Sequence, residues 1–579
     1  MLLLLPRMPS PAPSSACFSP LPAWLRAYAR PHLADDIVAG LIVAVLALPQ
    51  SLAYALLAGL PPQAGLYVSI LPAFAYAWVG SSMVQAVGPV AITSIMTLTV
   101  LAPLATPHSP EYVTLAASLS LLTGALLVLA AVLRLGFLAQ LLSRPVTQGF
   151  LTGSAILIVI SQVHHVFGVA RLSELPDFLH HLLAGQLAPT AQLGIACLLA
   201  MALNRYVLGA LLARLGLPQR AAAFAVRLMP LLIVGLATLA VIRLQLAAQG
   251  VAIVGTIGSG LPAPHWVWPT DTALGQLALP ALIMALVGMV QNIAMAQALA
   301  IQRRERVSAN REILGLGAAN VVAAVHGGMP VGGGVSRTAL NISAGAHTPL
   351  ASMVTAAAMA AIVLAAAPAF ASLPLAALGA TIMVAAFSMI DFQSLRNAWA
   401  YDRIDAASWL GTAGGVLFLG LEAGIAIGIA LSLIALIVRA STPHIARLGR
   451  LPGSEHFRNV ERHAVDTLPQ VLFLRIDESL FFGNLPAVEE RLAAELAQAP
   501  QLRHVVLVMS AINRVDTTAM ETLCDINRNL GEQGIALHLA EIKGPVQDRL
   551  KRSPLWPALN GQVFLSANEA FEALLQVAD

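Results

Sequence analysis

From Ile37 to Val438 the chain is a succession of long apolar runs separated by short polar breaks, and after Arg450 that pattern stops. A run of about 20 apolar residues crosses the hydrocarbon core of a bilayer as a helix. Allowing breaks at glycine and proline, the pattern predicts about fourteen crossings. Two of these do not read as continuous helices: "AVGPVAITSIM" (Ala86–Met96) in the third span and "MPVGGGVSRTALNI" (Met329–Ile342) in the tenth. Each places glycine and proline before a short helical pattern, which predicts extended backbone feeding a half-helix. Their offsets from the first and eighth spans are similar, and seven spans per half is an odd number, so the halves run in opposite orientation. The pattern predicts an inverted repeat, about 31–247 and 273–440, within a transport domain over 31–440.

Beyond the last span the period changes. "VLFLRI", "HVVLVMS" and "IALHLA" read as buried strands. They alternate with helical patterns near Pro486–Gln498, Thr517–Leu530 and Val546–Lys551, predicting a small cytosolic α/β domain over 468–579. Residues 441–467 are expected to be a linker, and 1–30 a cytoplasmic N-terminal tail whose apolar opening is too short for a signal peptide.

Composition agrees: 58% of the 579 residues are hydrophobic and 11% charged, against roughly a quarter charged in soluble domains. A net charge of +3 gives no reason to expect a nucleic-acid partner. Cys17, Cys197 and Cys524 are too scattered for a disulfide framework or a metal cluster. The arginines set the orientation: Arg26 and Arg30 precede the first span, and Arg134 and Arg144 follow the fourth. Arg205, Arg214, Arg220 and Arg227 are read as lying between the sixth and seventh, Arg303 to Arg311 after the eighth, Arg396 and Arg403 after the twelfth, and Arg439, Arg447 and Arg450 after the last. The alternate loops "APLATPHSPEY" and "GSGLPAPHWVWPTD" carry no Lys or Arg. Both termini are therefore expected in the cytoplasm, with the chain in the cell inner membrane.

No cofactor, metal site or enzyme activity is expected. The pairs His164–His165 and His180–His181 are adjacent, so their rings face different directions on a helix. "GLGAAN" follows no strand, and without a Walker-type loop transport is expected to proceed without ATP.

The broken spans carry the chemistry. Irregular backbone at membrane depth survives only where protein or a water-filled cavity satisfies its N–H groups. Two half-helices starting near the midplane bring together N-termini of about half a positive charge each, an arrangement suited to an anion. Arg337 adds a full charge, at an insertion cost on the order of 3 kcal/mol. Ser336, Thr338 and Thr93 add hydroxyls. The competing reading is that the glycines serve helix packing and Arg337 pairs with a carboxylate; the matched "VGPVA" in the other half favours the site.

These motifs, in this order, resemble the sulfate permease (SulP) family of anion transporters. "DDIVAGLIVAVLALPQSLAYALLAGLPPQAGLY" resembles the family's first-span signature and "VGPVAITSIM" its third. "NREILGLGAANVVAAVHGGMPVGGGVSRTALNISAGAHTPL" resembles its ninth and tenth, and the cytosolic segment resembles a STAS domain. The resemblance implies a seven-plus-seven inverted repeat, a core domain that moves against a gate domain, elevator-type alternating access, and a homodimer. It places Pro49, Gln50 and Tyr54 at the anion pocket, Val90 and Ala91 at the third-span half-helix start, and Gly334, Val335, Ser336 and Arg337 at the tenth. It implies anion contact through the N–H groups of Val90, Ala91, Val335 and Ser336, side-chain bonds from Gln50 and Ser336, and background potential from Arg337. Tyr54 fits contact and plain packing equally.

One departure matters. Gln291 stands where many relatives carry glutamate, and Thr272–Ile301 contains no carboxylate. Glutamine cannot titrate, and the aspartate that a bicarbonate-carrying cyanobacterial branch uses around sodium is absent too. This favours exchange or uncoupled transport, with proton- or sodium-coupled symport as the alternative. In the cytosolic domain, Asp516, Thr517 and Thr518 match a STAS loop in which Thr518 would be the phosphoacceptor; in transporters that domain is more often a scaffold. A nucleobase permease is the alternative carrier, though it would want carboxylates where Gln291 and Arg337 stand. A signalling scaffold would show decayed half-helices. Sulfate, bicarbonate, chloride, nitrate and dicarboxylates all fit the expected site.

Overall fold

The computed structural model describes residues 22–26, 28–140, 142–169, 184, 187–216, 218–255, 260–261, 264, 266–326, 328–366 and 370–578. The N-terminal segment with Cys17, and His180–His181, lie outside the described residues. The chain forms two compact units, Met1–Ser432 and Leu433–Asp579.

The first unit is helical apart from two short strands. Its spans are α1 (His32–Leu57), α2 (Leu71–Val79), β1 (Val87–Gly88) leading into α3 (Ala91–Leu101), α4 (Pro110–Val132), α5 (Arg144–Phe167), α6 (Pro189–Leu203) and α7 (Gln219–Arg243). The second half repeats the plan with α8 (Asp271–Arg303), α9 (Ala309–His326), β2 (Gly332–Gly333) leading into α10 (Val335–Ser343), α11 (Leu350–Ala366), α12 (Leu375–Phe387), α13 (Arg403–Leu419) and α14 (Leu421–Ser441). Among the described residues eight helices are long and apolar enough to cross a bilayer. Helices α3 and α10, with 11 and 9 residues, are too short to do so alone, and the extended segments before them supply the missing length. The fold is the expected inverted repeat with broken third and tenth spans.

Helices α4 and α9 cross at small residues. A Cβ on Gly124 would stand 2.7 Å from the Val321 nitrogen, and one on Gly317 would stand 3.0 Å from the Val128 nitrogen. Only glycine lets these backbones approach so closely. Helix α9 then holds both extended segments. The Glu312 carboxylate, fully buried, accepts from Ser81 N (2.7 Å), Ser82 N (2.8 Å) and Ser81 Oγ (2.7 Å), and also from the Tyr76 hydroxyl and Asn292 Nδ2. Asn320 pairs with Val331 through both ends of its amide, accepting from Val331 N at 2.9 Å and donating to Val331 O at 3.0 Å. One side chain anchors the approach to β1 and the other the approach to β2.

The second unit is a six-stranded sheet of order β4-β3-β5-β6-β7-β8. Its strands are β3 (Ile445–Arg450), β4 (Phe457–Asn459), β5 (Val471–Ile476), β6 (His504–Val508), β7 (Ala536–Ala540) and β8 (Val563–Phe564). Strands β5 to β8 are parallel, while β3 is antiparallel to both β4 and β5. Helices α15 (Leu485–Gln498), α16 (Thr517–Glu532), α17 (Gly544–Leu550) and α18 (Ala567–Ala578) complete it. Along β5 the side chains of Leu472, Leu474 and Ile476 join one core and those of Val471 and Phe473 another. Burial on both faces is what makes a parallel strand read as one apolar run. The structure differs from expectation over 441–467: rather than a linker, this stretch supplies the sheet's first two strands. Strand β3, "IARLGR", carries two partly buried arginines, and so lacks the apolar run seen in β5.

Two predictions follow from the buried polar groups. Replacing Glu312 with Gln puts an amide donor among groups that are themselves donors. Glu312→Gln should destabilise the membrane unit by about 2–4 kcal/mol, read as a lower Tm in detergent; an unchanged Tm would show that the clamp carries no weight. In the second unit, burial first and the charge of neighbouring His504 second push His538 down to about 4. The unfolded chain then binds a proton that the folded domain refuses, so stability is complete above about pH 6.5 and falls as pH drops towards 4. Thermal unfolding of the full chain should show this loss in the wild type and less of it in His538→Gln.

Candidate functional site

Strands β1 and β2 pair antiparallel across the two repeats, with Val87 opposite Gly333 and Gly88 opposite Gly332. Gly334 N adds a further bond to Ala86 O at 3.0 Å. Each strand turns directly into a half-helix whose cap residue is extended, Val90 at φ −134° and Gly334 at φ −85°, and neither cap has a side-chain bond. The first helical bonds are Ser94 N to Val90 O (3.0 Å) and Thr338 N to Gly334 O (2.8 Å). The amides of Ala91, Ile92 and Thr93, and of Val335, Ser336 and Arg337, therefore precede the reach of the helical ladder. Their positive ends are built into the fold at the crossing of the two repeats.

Arg337 turns towards that crossing. It is 5% exposed, and its Nη2 donates to Ser51 Oγ at 3.1 Å. Ser51 is itself held by the Ala47 carbonyl (2.8 Å) and Ser69 Oγ (2.9 Å). The guanidinium lies against β1, since a Cβ on Gly88 would fall 1.9 Å from Nη1. Among the described residues no carboxylate forms an ion pair with Arg337. The competing reading of Arg337 as one half of a structural ion pair has no support in this geometry.

A cavity of about 310 Å³ opens beside the crossing. Helix α1 lines it with Leu46, Pro49 and Gln50, α10 with Ser336, Ala339, Leu340 and Ser343, α7 with Arg227, Pro230, Leu231 and Val234, and α12 with Thr381. Gln50 and Ser336 are thus brought together, whereas Tyr54, Val90, Ala91, Gly334, Val335, Arg337 and Gln291 do not line this cavity. Tyr54 is 8% exposed within the core, and Val335 is 64% exposed. Two of the three expected hydroxyls are committed elsewhere: Thr338 Oγ1 accepts from Ala86 N at 3.1 Å, and Thr93 Oγ1 donates to Val90 O at 3.2 Å. Ser336 remains exposed.

Several residues enter the site that the sequence reading passed over. Gln85 Nε2 donates to Asn292 Oδ1 at 2.5 Å, and Asn341 Nδ2 donates to Val84 O at 2.9 Å. Asn292, next to Gln291, therefore ties α8 to the approach to β1, while Gln291 Nε2 is buried without a partner. Their signal was an amide set beside the broken spans, visible but indistinct from ordinary packing. Arg227 is a correction. It lies inside α7 instead of in a loop between the sixth and seventh spans, because α7 begins at Gln219 and keeps its helix through the basic stretch. Its Nη1 donates to the Ser343 carbonyl at 3.1 Å.

Elsewhere, the rings of His164 and His165 do not face apart as expected but lie 3.6 Å apart between centroids, and no group of three metal-ligating side chains occurs among the described residues. In the second unit Asp516 caps α16, accepting from Ala519 N at 2.8 Å, and Thr518 is exposed in its first turn.

Comparison with known proteins supports this organisation. The sulfate permease family matches residues 33–412, and the STAS domain matches 463–570. The chain is 34% identical to a probable sulfate transporter of Mycobacterium tuberculosis, over 97% of this chain and 99% of that protein. It is 30% identical to the chloroplastic sulfate transporter 4.1 of Arabidopsis thaliana, over 96% and 82%. Among solved structures, the murine Solute Carrier 26 family member A9 anion transporter in its inward-facing state superposes with a TM-score of 0.82 at 22% identity, covering 99% of this chain and 97% of that one. The transmembrane domain of a cyanobacterial bicarbonate transporter gives 0.56 at 22%, covering 70% and 98%. The chain belongs to the sulfate permease family of membrane transporters and carries a C-terminal STAS domain.

Proposed function

We propose that the protein carries a small oxyanion, sulfate in the first instance, across the cytoplasmic membrane. One observation carries the reading: two half-helix N-termini meet beside a buried, carboxylate-free Arg337. Unladdered amides and a fixed guanidinium offer donors and positive potential without a negative group to compete. The names of the sulfate-transporting relatives support sulfate as the first anion to test. The N–H groups of Val90, Ala91, Val335 and Ser336 and the side chains of Gln50 and Ser336 are the contacts we assign, with Arg337 as background charge; Tyr54, buried in the core, is assigned to packing.

The cavity lies where α1 and α10 face α7 and α12. Elevator-type movement of the half-helix core against those helices, in a homodimer with both termini cytoplasmic, fits that position and the arginine distribution. Exchange fits the absence of a carboxylate over Thr272–Ile301 of α8, where Gln291 stands. Glu312 is committed to the structure, with donors at both its oxygens. Thr518 stays a candidate phosphoacceptor, exposed in a first turn where phosphate is favoured.

In proteoliposomes, Arg337→Glu should reduce labelled sulfate uptake at least about tenfold while the protein still inserts and elutes as the wild type; uptake at the wild-type rate would refute the site. Sulfate keeps its charge across neutral pH, so it also tests coupling. An imposed proton gradient should not drive its accumulation in the wild type, whereas Gln291→Glu should become acid-activated. Uphill uptake driven by protons in the wild type would rule out exchange.

A further inference from the structure

Arg227 is a cation that the half-helix crossing does not use. It sits on α7 three residues before Pro230, and both line the cavity. Pro230 has no N–H, so the Val226 carbonyl loses its helical donor. Asn204 replaces it: its Nδ2 donates to Val226 O at 3.0 Å from a π-helical turn, Asn204–Leu208, that continues α6. Asn204 is buried, at 7% exposed. The break in α7 is therefore satisfied from a neighbouring helix and held at the cavity wall, which fixes where Arg227 projects.

The guanidinium donates to the carbonyl of Ser343, the last residue of α10, where helical carbonyls are unpaired. One of its five N–H donors is thus used on a neutral acceptor. Among the described residues no carboxylate pairs with Arg227, and no Asp or Glu lines the cavity. Across the same cavity stand Gln50 and Ser336. Arg337 turns towards β1 and Ser51, so it supplies potential from behind the half-helix without lining the cavity.

We propose that Arg227 is the second cation of the anion site and the residue that selects a doubly charged oxyanion. The proposal rests on the anion-transport reading above. With the cavity empty, Arg227 rests on the Ser343 carbonyl. An oxyanion seated against Gln50 and Ser336 takes over its forked donors, because a charge-assisted bond is about twice as strong as a neutral one. A monoanion leaves one of the two guanidinium charges uncompensated in a low-dielectric space, and a dianion does not. Taking the donor also releases the bond between α7 and α10, freeing the half-helix to move once the substrate is bound.

The test is sulfate uptake into proteoliposomes, with nitrate as a competing monoanion, by wild type, Arg227→Gln, Arg227→Lys and the control Arg243→Gln at the exposed end of α7. Arg227→Gln should raise the sulfate KM about tenfold and leave nitrate inhibition within about twofold. Arg227→Lys, which keeps the charge and loses the fork, should raise KM about threefold. Arg243→Gln should behave as the wild type. A fall in turnover with KM unchanged would make Arg227 only a latch and overturn the proposal; an equal loss of sulfate and nitrate affinity would overturn the selectivity. Should Arg227→Gln fail to reconstitute, a wild-type KM in Arg227→Lys overturns it alone. Wild-type vesicles that move no sulfate would instead remove the transport reading on which the proposal stands.

Discussion

Everything in the membrane unit depends on one constraint: backbone that is not helical at membrane depth must find partners for its N–H and C=O groups. The chain meets it by pairing its two broken spans with each other. Residues 87–88 take partners from 332–333, and Gly334 N takes the Ala86 carbonyl. That solution leaves over the first-turn amides of α3 and α10, which lie beyond the strand pair and ahead of the helical ladder. The proposed anion site is thus a by-product of satisfying the strands, and the rest of the unit keeps those amides in place. Glu312 and Asn320 on α9 hold the two approaches, and the Gly124–Gly317 crossing seats α9 against α4.

The charges sort into two classes by how their bonds are used. Glu312 and Asp36 are buried carboxylates whose oxygens are surrounded by donors; Asp36 accepts from His347 N at 2.7 Å and from Thr348 Oγ1 at 2.6 Å. Such groups fix geometry, because moving them would leave a buried charge unpaired. Arg337 and Arg227 instead meet only neutral oxygens in the described contacts, Ser51 Oγ and the Ser343 carbonyl. Positive charge without a built-in counterion is what a mobile anion can exploit. No carboxylate lines the cavity, Arg227 does, and Arg337 lies behind the half-helix.

Much of this was legible in the sequence, and the failures have physical causes. The broken spans announced themselves because glycine and proline before a helical pattern cannot continue a membrane helix. Strands β5, β6 and β7 were legible because burial on both faces demands unbroken apolar runs. Strand β3 was not, since the arginines of "IARLGR" are partly buried against Glu495 and Glu572, partners distant in sequence. Pairing of β1 with β2 could not be read, because register between segments far apart in sequence leaves no local mark. Arg227 was assigned to a loop because basic residues cluster from Arg205 to Arg227; its place within α7 goes with the bond from Asn204 to the Val226 carbonyl that Pro230 leaves free, and that bond depends on two helices meeting. The need for glycine at 88 is equally non-local, as it comes from Arg337 in the other repeat.

The central claim, that the crossing of the half-helices with Arg337 packed on Gly88 is the anion site, is tested most directly by equilibrium binding. Calorimetric titration of sulfate into purified wild type and Gly88→Ala should show binding weakened at least about tenfold in the variant, with its elution profile and Tm near those of the wild type. The added methyl group must displace a guanidinium that now stands 1.9 Å from its position. Unchanged sulfate affinity in a folded Gly88→Ala protein would contradict the account.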